Sequence, residues 1–236
     1  MNKAIVTGAA NGIGKAITIK LLQEDTTVLA CDIDEQGLSA LKNEYPAVHT
    51  FCFDITDHSS VASFFNEPLV KDATRLVNNA GVYPGRNILD YSPEEIQQIT
   101  NINNTGAVYC TQLFARPLLE RKQQGAIVNI SSVSGQHGSS DAIYGMTKAA
   151  LNGLTKSTAI NFAPYIRVNA VAPGLVSTNI LNNIPPERYK ELRRNELLEQ
   201  PIQPEDVAES VYFLLSDKAR NITGMTMDVN NGQYLR

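Results

Sequence analysis

Ala4-Ile5-Val6-Thr7, followed at once by Gly8-Ala9-Ala10-Asn11-Gly12-Ile13-Gly14, is the stretch on which the fold turns. The first part is an apolar run of strand length. The second is a glycine turn, and a helical pattern then continues through Glu24. Strand, glycine turn and helix in that order make the glycines a candidate phosphate site. Glycine lets backbone approach a pyrophosphate, and a helix N-terminus offers free N–H groups and a positive dipole end. The spacing is Gly-x-x-x-Gly-x-Gly rather than the commoner Gly-x-Gly-x-x-Gly, and a plain strand-turn-helix connection would read the same way.

The alternation continues along the chain. Thr27 to Asp32 reads as a second strand ending in an acid about eighteen residues past Gly14. A carboxylate there accepts hydrogen bonds from both ribose hydroxyls of an adenosine and repels a 2′-phosphate. Ala10, Asn11 and Ile33 supply no positive charge to offset that repulsion, so the expected cofactor is NAD rather than NADP. An acid at a strand end is also an ordinary helix cap. Val48 to Phe53 reads as a third strand; beyond it Asp54 can meet an adenine amino group and Ile55 can lie along the ring, or the acid simply opens a turn. Arg75 to Asn78 reads as a fourth strand running into Asn79-Ala80-Gly81. The amides can tie neighbouring strands together, and Gly81 lets backbone pass close to a cofactor.

Ser92-Pro93-Glu94-Glu95 is a helix start. Asn101, Asn103 and Asn104 follow in mid-helix, where such residues compete for backbone hydrogen bonds and point to a kink or a polar site. Gly125 to Ser131 reads as a fifth strand that delivers Ser132 at its C-terminal end, where ligands sit in an open α/β sheet. Gly135 to Asp141 reads as a polar loop. The helix after it, to about Phe162, carries Tyr144 and Lys148 one above the other on one face. A phenol titrates near ~10 in water, and a nearby ammonium is expected to lower that value. A phenol so poised exchanges a proton with an alcohol or carbonyl, and the Ser132 hydroxyl can fix the reacting oxygen. An ordinary helix with an exposed tyrosine and a solvated lysine has the same spacing. Ile166 to Ala172 is a sixth strand closed by Pro173-Gly174. A polar excursion from 175 to 200, a helix from Glu205 to Leu215 and a strand from Met225 to Val229 complete the pattern. With no repeat and no linker, residues 1–236 are expected to form one domain.

Composition narrows the function. The formal charge is −4 over 236 residues, with no basic block, which argues against nucleic acid as a partner. Cys31, Cys52 and Cys110 lack disulfide or zinc spacing and read as reduced, buried thiols; no metal site is expected. The strand pattern starts too early for a signal peptide, and no apolar run can cross a bilayer. A cytoplasmic setting is the expectation.

Thr7 to Gly14, Asn78-Asn79-Ala80-Gly81, Asn103 to Gly106, the set Ser132, Tyr144 and Lys148, and Pro173-Gly174 together resemble the short-chain dehydrogenase/reductase family, over nearly the full chain. The resemblance implies a doubly wound (Rossmann) seven-stranded parallel sheet with helices on both faces, and a nicotinamide-dependent exchange between a secondary alcohol and a ketone of a small molecule. It implies Tyr144 as general acid/base and Ser132 as holder of the reacting oxygen. Lys148 would bind the nicotinamide ribose, and Asn103 would kink its helix and position a water. Gly8, Asn11, Gly12, Ile13, Gly14, Asp32, Ile33, Asp54, Ile55, Asn79, Ala80 and Gly81 would hold the cofactor. Pro173, Gly174, Val176 and Thr178 would meet it at the nicotinamide end. Thr74 departs from the family's usual aspartate, and Asn230-Asn231-Gly232 from its usual acid-glycine-glycine. A homotetramer is implied, paired through the helices that carry Pro93 and Tyr144 and residues such as Ala107, Ala115, Ala149, Ala150, Leu151 and Leu154.

Tyr83, Ser134, Gln136, His137 and Asn179 are expected to border the substrate pocket and make it polar, favouring a small hydroxylated or keto compound. Arg193 and Arg194 can meet an anion there, or form a solvated helix face. The competing substrate is a 3-oxoacyl group on carrier protein or coenzyme A, and such reductions in this family usually run on NADPH. A non-catalytic NAD sensor or a structural subunit is the alternative of another class.

Overall fold

The computed structural model describes residues 2–178, 184 and 186–235. Its first strand, β1 (Lys3–Thr7), sends Ala4 and Val6 to one side and Ile5 to the other, and all three are fully buried. β2 (Thr27–Asp32) repeats the device, with Val28 and Ala30 on one face and Leu29 and Cys31 on the other. Side chains of period two that are apolar on both faces belong to a sheet covered on both sides.

The remaining strands are β3 (His49–Cys52), β4 (Arg75–Asn78), β5 (Gly125–Ile130), β6 (Ile166–Pro173) and β7 (Thr226–Val229). All seven pair in parallel, in the order β3-β2-β1-β4-β5-β6-β7. Strand order reverses between β1 and β4, and a crevice opens at their C-terminal ends. On one face lie α1 (Gly12–Gln23), α2 (Glu35–Glu44) and, beyond the later strands, a helix over Pro204–Leu215. The other face carries α3 (His58–Asn66), a rod made of α4 (Pro93–Thr100) and α5 (Gly106–Glu120), and the long helix over Ala142–Phe162. Fully buried Ile17 and Leu21 of α1 pack in one cluster with Val207, Val211 and Leu214. Each such side chain contributes about 1.5–3 kcal/mol by leaving water.

Helix starts follow short-range chemistry. Asp34 accepts from Gly37 N, Asp57 from Ser59 N and Ser60 N, and Ser92 with Glu95 forms a capping box. Between α4 and α5 the rod widens into a π turn at Asn101–Thr105, the distortion that three asparagines foretell.

The structure departs from the sequence reading in three places. Residues 135 to 141 are not loop throughout, since α6 (Ser134–His137) makes a helical turn there. The long helix that follows is α7 (Ala142–Phe162), then come α8 (Pro186–Arg194) in the excursion and α9 (Pro204–Leu215). Cys52 is exposed rather than buried, because it ends the edge strand β3. Ala107, Ala115 and Leu151 turn into the chain's own core instead of outward. Asn179 lies outside the described residues. Among the described residues no helix is long and apolar enough to cross a membrane.

Candidate active site

A cleft of about 560 Å³ runs across the strand ends, from Asp32 and Asp54 at one extremity to Tyr144, Arg188 and Gln233 at the other. At the first extremity the glycine turn does two jobs. Gly8 and Gly12 take φ of +65° and +54°, the left-handed region that glycine enters without strain. Gly14 sits behind the turn, where a Cβ would stand 1.9 Å from Gly8 O; it is a packing glycine and does not line the cleft. Asn11 precedes α1 yet does not cap it, and its amide donates instead to Asp34 Oδ2 at 3.0 Å. The first turn of α1 therefore has no side-chain acceptor, and Asn11, Gly12 and Ile13 face the cleft. N–H groups left that way suit the oxygens of a pyrophosphate.

Asp32 stands at the end of β2. Its Oδ2 accepts from Ala10 N (2.9 Å) and its Oδ1 from Asp34 N (3.0 Å), so each oxygen keeps a lone pair for a further donor. Ile33 is 68% exposed beside it. Asp54 and Ile55 form the adjacent wall; Asp54 also accepts from Thr56 N at 2.8 Å, and Ile55 is buried under Gly106. The lysine and arginine on the cleft wall, Lys148 and Arg188, belong to its opposite end.

Asparagine amides build the floor. Asn79 donates to Thr7 O and Gly8 O, which binds the turn after β4 to the one after β1. Asn78 donates to Asn129 Oδ1 and Thr111 Oγ1, and Asn129 to Thr155 Oγ1, a buried chain that joins β4, β5, α5 and α7. Ala80 and Gly81 line the cleft. A Cβ on Gly81 would meet Asn103 Oδ1 at 3.2 Å and Lys148 Nζ at 3.5 Å. Asn103, 1% exposed in the π turn, stands behind this wall. It accepts from Val82 N and donates to Val82 O and Thr147 Oγ1.

Tyr144 and Ser132 meet across the far end. The Ser132 hydroxyl lies beside the Tyr144 phenol on the cleft wall and accepts from Ser134 N at 3.1 Å. Lys148 stands one turn along α7, its Nζ 5.6 Å from the centre of the Tyr144 ring. Lys148 is 5% exposed, and its ammonium donates to Ile130 O at 2.8 Å, which uses one of its N–H groups. The sign of the expected shift on Tyr144 is reversed. Burial pushes the phenol up to about 12; the nearby Ser132 hydroxyl works the other way, and Tyr83 and Asp141 add to the rise. Burial also brings Lys148 down to about 8. Desolvation penalises both charged forms, and at this separation the ammonium does not offset it.

Pro173, Gly174, Val176 and Thr178 close one side of this end. Tyr83 closes another, its ring edge-on to Tyr144 at 4.8 Å. Ser134 and His137 also reach the cleft, whereas Gln136 turns away to Asp228. Of the lid arginines, Arg188 lines the cleft; Arg193 instead pairs with Glu196. Gln233 arrives from the chain end, and neither it nor Arg188 has a sequence signal tying it to the site. Asp141 is different. It directly precedes α7 and caps it through Tyr144 N at 3.0 Å, a role that its place before an apolar helix announces.

Known proteins resemble the chain over its whole length. The family model described as enoyl-(acyl carrier protein) reductase matches residues 8–233. The 3-oxoacyl-[acyl-carrier-protein] reductase of Thermotoga maritima is 34% identical over 241 residues, covering 97% of this chain and 96% of that one. Meso-2,3-butanediol dehydrogenase of Serratia marcescens is 35% identical, with 98% and 94% covered. A solved short-chain dehydrogenase/reductase family protein superimposes with a TM-score of 0.89 at 30% identity, over 99% of this chain and 97% of that one. Glycine turn, parallel sheet and the Ser132–Tyr144–Lys148 corner thus come with matching relatives, and the chain belongs to the short-chain dehydrogenase/reductase family of oxidoreductases.

Proposed function

We propose that this oxidoreductase interconverts a secondary alcohol and a ketone of a small polar molecule, with NAD as cofactor and Tyr144 as general acid/base. The observation that carries the reading is the corner where Ser132, Tyr144 and Lys148 line one end of the cleft, whose other end holds the uncapped N-terminus of α1. A nicotinamide bound there supplies or accepts hydride. Ser132 and Tyr144 hold the substrate oxygen, and Tyr144 gives its proton to a ketone or takes one from an alcohol. A phenol held up near 12 is protonated at neutral pH and ready to donate. Lys148 keeps N–H groups for ribose hydroxyls, and Asn103 secures the backbone at Val82 behind them.

The choice of NAD rests on Asp32, whose free lone pairs suit two ribose hydroxyls and whose charge opposes a 2′-phosphate. The remaining cofactor contacts are those given above, with Gly14 supporting the turn from behind. Polar groups from Tyr83, Ser134, His137 and Gln233 around the corner favour a small hydroxylated substrate, in keeping with the butanediol relative. The second reading, a 3-oxoacyl thioester ketone, has its support in the Thermotoga relative. A homotetramer paired along α5 and α7 is part of the proposal, and exposed Val108 and Met146 on those helices support it.

Absorbance of the reduced nicotinamide, followed with NAD or NADP against secondary alcohols and with NADH or NADPH against ketones and 3-oxoacyl thioesters, separates the readings. Tyr144→Phe is expected to lower turnover by roughly two to four orders of magnitude and to leave NAD affinity within about twofold. Full turnover in that variant removes Tyr144 from the chemistry, and no turnover with any substrate favours a non-catalytic NAD-binding role.

A further inference from the structure

We propose that Asp141 is a positioning residue that holds Tyr83 and Tyr144 in register by joining the helix of Tyr144 to the 83–91 segment across the cleft. Its carboxyl group is fully buried and divides its two oxygens between two elements. Oδ1 accepts from Tyr144 N at 3.0 Å and so fixes the first turn of α7. Oδ2 gathers three donors from the segment after β4: Gly85 N (3.0 Å), Arg86 N (3.3 Å) and Tyr91 Oη (2.6 Å). That segment carries Tyr83, whose ring lies edge-on against Tyr144. It is anchored at its far end by the Arg86–Glu95 ion pair and by the Arg86 guanidinium over the Tyr91 ring.

A helix cap needs one side-chain acceptor. Four donors converging on one buried carboxylate exceed that need, and three of them come from a segment with no part in the helix. An unpaired carboxylate is costly in the interior, and here both oxygens are hydrogen-bonded. The result is a rigid tie between the proton-transfer phenol and the opposite wall of the pocket. Displacing a reacting group by about 1 Å can cost a hundredfold in rate. The carboxylate also bears on both phenols as a negative charge, alongside Tyr83 and Lys148 around Tyr144 and Arg188 near Tyr83.

The inference rests on the reading of Tyr144 as acid/base, and Asp141→Ser tests it. Serine keeps a cap for Tyr144 N but loses the three bonds to the segment and the charge. Expected results are a kcat lower by roughly ten- to a hundredfold, NAD affinity unchanged, and faster amide exchange at Gly85 and Arg86. Removing a negative charge makes the phenolate easier to form, so the rising limb of kcat for alcohol oxidation moves to lower pH. A folded Asp141→Ser with wild-type kcat and an unmoved limb overturns the proposal. If that variant does not fold, Tyr91→Phe decides: a fall in kcat of about fivefold, the scale of one hydrogen bond, supports the tie, and wild-type kcat overturns it. The two readings fail separately. Turnover surviving Tyr144→Phe removes the acid/base assignment, whereas an inactive Tyr144→Phe beside an unaffected Asp141→Ser removes only the positioning role.

Discussion

Replacing Lys148 with methionine is expected to stabilise the protein while it stops turnover. Lys148 is 5% exposed, and burial alone brings its ammonium from 10.5 to about 8. At about 1.4 kcal/mol per tenfold in proton affinity, that gap makes the charged form cost roughly 3 kcal/mol in the folded state. The unfolded chain holds the proton more tightly, so the cost is present in full below about pH 8. It is relieved as pH climbs from about 8 to 10.5, and wild type gains stability over that window. Methionine fills the lysine stem's volume without the charge, but it leaves Ile130 O without its 2.8 Å donor, a loss of about 1–2 kcal/mol. The net expectation at pH 7 is a gain of about 1 kcal/mol, which raises Tm by roughly 2–4 °C for a chain of this size. Thermal melts of both proteins without added nucleotide, at pH 7, 8, 9 and 10, measure it. The methionine variant should melt higher at pH 7, and wild type should draw level near about pH 9 and melt higher at pH 10. A variant that melts lower at pH 7, with a gap constant across the series, would show that burial of this ammonium carries no such cost.

Asp32→Ala should weaken NAD binding by roughly tenfold or more, the scale of a hydrogen bond to a charged group, and narrow the difference from NADP; a wild type faster with NADPH than with NADH refutes the role given to Asp32. Gly14→Ala brings a Cβ to 1.9 Å from Gly8 O, so the turn must open and nucleotide binding be lost. Gly153→Ala is its control, since a Cβ there meets nothing within 4 Å and should stabilise α7 by about 0.5–1 kcal/mol. Asn103→Ala strands the buried partners at Val82 and Thr147 and should cost about 2–4 kcal/mol in urea denaturation.

Much of this architecture is legible because the signals are local. β1, the glycine turn and α1 follow from period-two and period-3.6 patterns meeting at glycine, and Pro93 behind Ser92 marks α4 for the same kind of reason. Sheet order is not legible in that way: alternating strands and helices fix parallel pairing but not which strand neighbours which, and the family resemblance supplies only the doubly wound seven-stranded form. The sign of the Tyr144 shift was not legible either. Spacing places Lys148 beside the phenol, but only coordinates weigh a 5.6 Å separation against desolvation by the surrounding walls. Arg188 and Gln233 reach the cleft through the packing of the excursion and the chain end, which no short-range pattern encodes. Asp141 stood in plain view as a cap, while its three partners lie 50 or more residues away in the chain.

The C-terminal segment explains what became of the unusual Asn230-Asn231-Gly232. Asn231 adopts a φ of +53°, its carbonyl accepts from Leu197 N and Leu198 N, and its amide reaches Glu196 and Gln200 O. Excursion and tail are thus one interlocked part, while the Asp32 end of the cleft is drawn from the first hundred residues. Grafting residues 184–235 of this chain onto a relative should carry over the choice of alcohol and leave the choice of dinucleotide with the recipient. Exchanging either piece of that part alone would sever its latch.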